Sequence, residues 1–435
     1  MTGPLTDIVV IDLSRAVAGP HAAMMLGDLG ARVIKVEVPE TGDDSRHWGP
    51  PFVGPAATPE STYFLSANRN KQSIELDLKD PADHDTLRAM LQRADVMIEN
   101  FRPGVLDRLG FDAETLEALN PRLVVLSISG FGHDGPEAGR AGYDQIAQGE
   151  AGLMSVTGGA PDDPQRVGVP IADLLAGMYG AYGVLAAVHD RATTGRGQIV
   201  RTSLLAAMVG AHSFQGTRYT VAGEVGRAQG NHHPSLAPYG LFATADGAVQ
   251  VAIGSESLWQ AFCAVIDLDP GHADFASNAA RVAHRAALIS IIERAFADKS
   301  SDTVLTLLDS ADIPAGIVRT IDEVYDWSQT ASQRLVIEVD HQTLGRIRLP
   351  GSPLRFFDFD GGEQTRLEHE APPTLGQHDA DIRAWLEGPP PPSRPSVARR
   401  DPAQRHLHDD PEEQSGEEPA RHLGGNQKGQ PDPDE

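Results

Sequence analysis

The sequence predicts an α/β protein with a largely parallel sheet covered by helices on both faces. Three observations predict it. Short apolar runs rich in Ile and Val alternate with helical segments through the first third of the chain. The first run, residues 8–13, is short and rich in Ile and Val, as suits a buried strand. Turn residues stand between them: Gly30, Pro81 and Pro103-Gly104. Ligands on such sheets bind in the crevice beyond the strand C-termini.

The first apolar run, residues 8–13, reads as a strand. Gly19-Pro20 opens a helix over 21–29, and Gly30 stops it. Residues 33–38 form the next strand. The alternation continues with a strand at 73–78, a helix at 81–93, a strand at 96–98, helices at 103–109 and 113–119, and a strand at 123–128. Residues 144–151 and 174–188 read as helices, and 199–211 starts extended and turns helical. From Gly223 the chain becomes polar, Gly-rich and His-bearing to Pro238. Two apolar runs then flank Asp246-Gly247, the signature of a hairpin. Helical patterns follow at 256–266, 281–297 and 301–310, and 335–349 returns to strand with a turn at Gly345. We therefore expect residues 1–222 in a large domain, 223–327 in a smaller α+β domain and 328–387 back in the large one. Residues 388–435 are rich in Pro, Asp, Glu and Gly, with too little apolar surface to offset the entropy of ordering, and are expected to be disordered.

Composition narrows the function classes. The chain has 435 residues, 40% hydrophobic and 22% charged, as in a globular enzyme of several domains. A formal charge of -25 argues against nucleic acid and against anionic membrane surfaces as partners, but not against an anion held in a local basic pocket. One cysteine, Cys263, leaves no disulfide framework and suits a reducing cytoplasm. The start, Met1-Thr2-Gly3-Pro4-Leu5, lacks signal-peptide character, and no apolar run is read as reaching membrane-spanning length.

Asp173 is the candidate residue that stands out. It lies in Val169-Pro170-Ile171-Ala172-Asp173-Leu174-Leu175-Ala176-Gly177, an apolar run with no basic partner. A carboxylate buried there shifts its pKa or has a task, and Asp can act as a nucleophile that forms an acyl-enzyme. The bland reading is an N-cap for the helix that follows, and the two are compatible. Glu99-Asn100-Phe101-Arg102-Pro103-Gly104 follows a strand, so it stands on the ligand edge with an amide, a stacking face and a phosphate contact; a plain strand-to-helix loop is the alternative. Asn68-Arg69-Asn70-Lys71 reads as a solvated loop, or as positive charge for an anionic cofactor.

Other patterns lead nowhere. Gly130-Phe131-Gly132-His133-Asp134-Gly135 matches G-x-G-x-x-G, but Pro136 and Gly139 follow where a dinucleotide fingerprint needs a helix. That makes a flexible ligand-side loop the better reading and a dehydrogenase the weaker one. His232 and His233 are adjacent and so point apart in an extended segment, which makes them poor joint metal ligands; no metal site is expected. No G-x-S-x-G elbow supports a serine hydrolase.

Together the segments resemble the family III CoA-transferases, typified by formyl-CoA:oxalate and carnitine CoA-transferases. The resemblance rests on Leu13-Ser14-Arg15 with Ala18-Gly19-Pro20, on Leu26-Gly27-Asp28-Leu29-Gly30-Ala31 with Val33-Ile34-Lys35-Val36-Glu37, and on Asn70-Lys71-Gln72-Ser73-Ile74-Glu75-Leu76-Asp77-Leu78. It continues through Ala94-Asp95-Val96-Met97-Ile98-Glu99-Asn100-Phe101-Arg102-Pro103-Gly104, Leu109-Gly110-Phe111, Gly142-Tyr143-Asp144, the Asp173 segment and Thr194-Gly195-Arg196-Gly197-Gln198. It implies a Rossmann-like large domain formed by both chain ends, a small domain between, and an interlocked homodimer. It implies transfer of CoA from an acyl-CoA to a small carboxylic acid, with coenzyme A thioester as substrate and no prosthetic group. Asp173 would be the nucleophile, passing through an aspartyl anhydride and an aspartyl-CoA thioester. CoA contacts would fall on Leu76, Lys79, Asn100, Phe101, Arg102 and Arg108, with Tyr143 near the reacting end.

The chain departs from the formyl-CoA transferases in places. Arg15 and Val17 stand where those carry His and Gln, and Val38 stands where they carry a basic residue. Their poly-Gly loop has no counterpart; Gln229-Gly230-Asn231-His232-His233-Pro234 looks more like that of members using succinyl-CoA and a dicarboxylate or hydroxy acid. The competing enzyme on this fold is an α-methylacyl-CoA racemase. Its His falls on Tyr143, a poor base at neutral pH. A CoA-binding protein without turnover is a third class, against which Asp173 speaks.

Overall fold

A computed structural model describes residues 3–389. Most of the tail expected to be disordered lies outside the described residues. The N-terminal strands are, in chain order, β1 (Val9–Asp12), β2 (Arg32–Glu37), β3 (Phe52–Val53), β4 (Glu60–Ser61), β5 (Lys71–Glu75), β6 (Val96–Glu99), β7 (Val124–Ser129) and β8 (Ile199–Ser203). β3 and β4 pair with each other. The others make one six-stranded sheet, ordered β5-β2-β1-β6-β7-β8. Every pairing in it is parallel, with Ile11 opposite Ile34 on one side and Met97 on the other. The order runs outward both ways from β1 and β6. Their C-terminal ends therefore diverge into a crevice, the switch point where open α/β sheets bind ligands.

Successive strand residues point to opposite faces and feed two cores. Val10, Val33, Val96, Val124 and Leu126 pack with Ala22, Ala23, Ala176, Ala181 and Val184 of two covering helices. Ile11, Ile34, Ile74 and Met97 pack with Leu87, Met90, Leu91 and Ile382 on the other face. The helix expected over 174–188 runs from Ile171 to Thr194, 24 residues. At a mean hydropathy of 1.5 it is long and apolar enough to cross a membrane, which corrects the expectation that no run reaches that length. Its apolar character serves the sheet instead. Side chains added at Gly177, Gly180 and Gly183 would stand 2.6 Å from the Ala18 carbonyl, 2.8 Å from Leu126 and 2.6 Å from Val200. Glycines one turn apart thus let this helix lie directly on the helix Ala18–Asp28 and on β7 and β8.

The segment Asn68–Lys71, expected as a solvated loop or a cofactor contact, is neither. Arg69 donates to both oxygens of Asp28 in the interior, and Lys71 Nζ donates to Asp12 Oδ2 (2.9 Å), the Pro20 carbonyl (2.8 Å) and Asn68 Oδ1 (2.9 Å). Lys35 Nζ donates to the Ser14 carbonyl (2.9 Å) and pairs with Asp43 at 2.7 Å. Buried charges need such partners, and this network anchors the turn that leaves β1.

A second, three-stranded antiparallel sheet is ordered β11-β10-β9, from β9 (Tyr239–Ala243), β10 (Ala248–Ala252) and β11 (Ala315–Ile317). The Asp246-Gly247 hairpin forms as expected, with the Thr244 amide donating to the Gly247 carbonyl at 3.0 Å. β11 was not foreseen: three residues without alternation carry too little pattern. Phe242, Val249, Trp259, Phe262, Phe296 and Leu308 give this region a core of its own. The single helix expected over 281–297 is two, Asn278–Ala283 and Arg285–Phe296. β12 (Val336–His341) and β13 (Gly345–Pro350) form a hairpin with Gly345 at φ +67°. The described chain ends on the large sheet: the His378 amide donates to the Ser73 carbonyl (3.0 Å), and Ile382 fills the core beneath β5.

Candidate active site

A cleft of about 620 Å³ opens at the switch point. Its walls are the turns after β1, β6 and β7, the segment around Tyr143 and the start of the long helix. Asn100 joins the first two walls. Its Oδ1 accepts the Arg15 amide (2.9 Å) and its Nδ2 donates to the Arg15 carbonyl (2.7 Å). The Arg15 guanidinium lies 6.0 Å from the Phe101 ring centre, a reach consistent with cation–π attraction. Ala16 is held at φ +67°, where a side chain is strained, and its amide donates to Asp43 Oδ1 (3.0 Å). Burial pushes the Asp43 carboxyl up. The adjacent Lys35 ammonium and the amides of Ser45 and Ala16 outweigh that and bring it down to about 2. The β1 turn is thus fastened from below by charge and from the side by Asn100.

The β6 turn is fastened by Glu99, which is buried and accepts the Phe101 amide (2.8 Å) and the Ser127 hydroxyl. Burial raises its pKa. Ser127 Oγ also bonds His133 Nε2 (2.7 Å), and Ser129 Oγ accepts the Gly132 amide (3.1 Å). The G-x-G-x-x-G stretch is therefore a tied loop with no helix behind it, against the dinucleotide reading.

Asp173 faces the cleft from the first turn of the long helix. The capping reading is corrected: the helix begins at Ile171, so Asp173 is its third residue. Asp144, from a different helix (Asp144–Glu150), serves the amide of Ala172 instead (2.8 Å). Asp144 Oδ2 accepts from Gln148 (2.7 Å). Asp173 accepts no hydrogen bond among the described residues. Burial, and then the like charge of Asp144, push it up from 3.8 to about 7. The helix N-terminus works the other way and favours the ionised form. The result is a carboxylate that is half ionised near neutrality and has no donor to displace, as a nucleophile requires.

A sequence model of "CoA-transferase family III" matches residues 5–379. The chain belongs to that family. A succinyl-CoA:glutarate CoA-transferase from Homo sapiens is 37% identical over 381 residues, 87% of this chain and 85% of that one. A succinate–glutarate CoA-transferase from Agrobacterium fabrum is 38% identical over 391 residues, 88% of this chain and 96% of that one. A solved CAIB/BAIF family protein from Brucella suis superposes with a TM-score of 0.78 at 37% identity, covering 89% of this chain and all of that one. The protein is thus a family III CoA-transferase, an enzyme acting on an acyl-CoA and a carboxylate.

Of the residues expected at the site of this transferase, Asp173, Asn100, Phe101, Arg102 and Tyr143 meet in the cleft. Leu76, Lys79 and Arg108 do not line it. Leu76 is buried in the core, while Lys79 and Arg108 are exposed farther along the same sheet edge. Sequence reasoning missed Asp44, Trp48, Tyr63 and Arg166 as lining residues, and missed the role of Asp144. Trp48 and Tyr63 stack edge to face at 5.4 Å. Trp48 follows a short 3-10 turn and Tyr63 lies in a helix of only six residues, Thr62–Ala67, too short for periodicity to flag either. His232 and His233 pack against different rings, Phe242 for the first and Phe214 and Tyr239 for the second.

Proposed function

We propose that this transferase works by covalent catalysis on Asp173. The observation that carries the reading is a carboxylate free of hydrogen bonds, poised near neutrality, at the switch-point cleft. An Asp173 oxygen attacks the thioester carbonyl of the acyl-CoA; the C–S bond breaks, leaving a mixed anhydride and CoA thiolate. The thiolate attacks the aspartyl carbonyl and expels the donor acid, leaving an aspartyl-CoA thioester. The acceptor carboxylate then attacks that carbonyl, and the thiolate released attacks the acceptor's acyl group, restoring Asp173. Orientation of a long, tightly held cofactor supplies what a weak nucleophile lacks.

Asn100, Phe101 and Arg102 line the CoA side, with Tyr143 near the reacting carbon. Lys79 and Arg108 continue along the C-terminal edge, where the nucleotide end of CoA runs, and Leu76 contributes through its backbone. The named relatives support a short dicarboxylic acid and its CoA thioester as substrates. A second copy of the chain interlocks with the first. In support, Met178, Tyr179 and Tyr182 of the long helix, Tyr219, Ile321, Phe357 and Phe359 are exposed, more apolar surface than a monomer carries without use. The two chain ends share the large domain, and residues 223–327 form the small one. The single cysteine, Cys263, accords with a reducing cytoplasm.

Hydroxylamine added after acyl-CoA should modify Asp173, read by peptide mass spectrometry as the hydroxamate. An unmodified Asp173 peptide under turnover conditions would remove the covalent route.

A further inference from the structure

Arg166 is a cation of the cleft with no carboxylate partner. It lines the same cavity as Asp173. Its guanidinium donates only to the backbone carbonyls of Val167 (3.1 Å) and Gly168 (3.2 Å) among the described residues. Arg140, which also lines the cavity, is by contrast taken up by Glu137 and Glu150. Two further cations, Arg15 and Arg102, belong to the turns after β1 and β6. Arg166 alone stands on the segment that leads into the Asp173 helix.

That segment is held in place. The Val167 amide donates to Oε1 of the buried Gln148 (2.8 Å), and Gln148 Nε2 donates to Asp144 (2.7 Å). Asp144 in turn accepts the amide of Ala172 (2.8 Å), next to Asp173. Gln148 and Asp144, hydrogen-bonded to each other, therefore link the backbone beside Arg166 to the backbone beside the nucleophile.

The charge balance says what Arg166 is for. The acyl end of the cleft holds two carboxyl groups, Asp144 and Asp173. A monocarboxylate acceptor delivers its only charge to the reacting carbon, where it is consumed in the anhydride. A dicarboxylate brings a second charge that survives the reaction and must rest against something positive. We infer that Arg166 binds the remote carboxylate of a short dicarboxylic acid and of its CoA thioester, and so selects diacids over monoacids. The guanidinium fork suits a carboxylate's two oxygens, and the carbonyls it now contacts are weaker partners than an anion. This rests on the transferase reading.

The test is acceptor competition with one acyl-CoA donor, glutarate against valerate, in the wild type, Arg166→Gln and Arg166→Lys. Effects on the donor half-reaction cancel in the ratio of the two kcat/KM values. The wild type should favour glutarate. In Arg166→Gln the glutarate-to-valerate ratio should fall at least tenfold, through KM for glutarate, with Arg166→Lys between the two. An unchanged ratio, a loss confined to kcat for both acids, or a wild type indifferent to the second carboxylate overturns the inference. If the wild type transfers no CoA at all, the transferase reading fails by itself. Equilibrium dialysis of labelled glutarate and valerate in the presence of CoA then still decides Arg166, since only glutarate retention should depend on it.

Discussion

Asp144 holds Asp173 in place and at the same time opposes its ionisation. Its Oδ1 accepts the amide of Ala172, the residue before the nucleophile, while its charge adds to burial in raising the Asp173 pKa to about 7. Asp144→Asn separates the two effects, because the amide oxygen still accepts a hydrogen bond but carries no charge. The acid limb of the kcat/KM profile should move to lower pH in this variant. Asp144→Ala loses the acceptor as well and should cost about 1 kcal/mol of stability. An acid limb that stays put or moves upward in Asp144→Asn would show that the carboxylate does not act on Asp173.

The raised pKa of Asp173 also sets a pH dependence of stability. Between the unfolded value of 3.8 and the folded value of about 7, the folded chain binds more protons than the unfolded one. Stability from this group is therefore lost as pH rises through that window, and activity is gained as the nucleophile ionises. Asp173→Asn removes the burden. It should abolish CoA transfer, yet unfold at a higher temperature than the wild type at pH 8 and at a similar one near pH 4. The gain should be on the order of 1–3 kcal/mol, because the carboxyl faces an open cleft that softens its desolvation. Calorimetric scans at the two pH values check it; a variant no more stable than the wild type at pH 8 contradicts the account.

Asn100 was expected as a CoA contact, and its geometry gives it a second task. Both halves of its amide are engaged with Arg15. Asn100→Ala cuts both hydrogen bonds that its side chain makes between the β1 and β6 turns and leaves the Arg15–Phe101 contact. We expect KM for acyl-CoA to rise about tenfold with a smaller change in kcat, and stability to fall by about 1–2 kcal/mol. A selective loss of kcat with KM intact would place Asn100 in the chemistry instead.

What could be read from the sequence divides along physical lines. The strands at β1, β2, β6 and β7 stood out because each is almost wholly buried and rich in Val and Ile, and Pro81 marked the helix Pro81–Arg93, where Asp80 caps the Ala82 and Asp83 amides. Asp173 stood out as a charge in an apolar run. The start of its helix did not, because the cap is supplied from Asp144, about thirty residues earlier in the chain, and no local rule sees that. Lys71 misled for the same reason. A cation in a run of Asn and Arg looks solvated until the fold brings Asp12 against it. Trp48 and Tyr63 reach the cleft from the end of a 3-10 turn and from a six-residue helix, both too short for periodicity to register.

Lys71 and Asp12 carry the last prediction, since both are wholly buried and pair at 2.9 Å. Burial lowers the Lys71 pKa to about 8 despite the attraction of Asp12, so the pair is a costly one held for position rather than for strength. Lys71→Met leaves Asp12 with the more distant Lys35 (4.0 Å) as its cation and should destabilise the protein by up to about 3–5 kcal/mol. Asp12→Leu with Lys71→Met removes both charges and should recover much of that stability. It should not recover function, because Ser14 loses the carboxylate that accepts its amide (3.0 Å) and the β1 turn beneath the cleft loosens. Chemical denaturation of the single and double variants, with KM for acyl-CoA measured on each, distinguishes the two effects. A double variant that regains wild-type KM would mean the charge network supports only the core and does not shape the site.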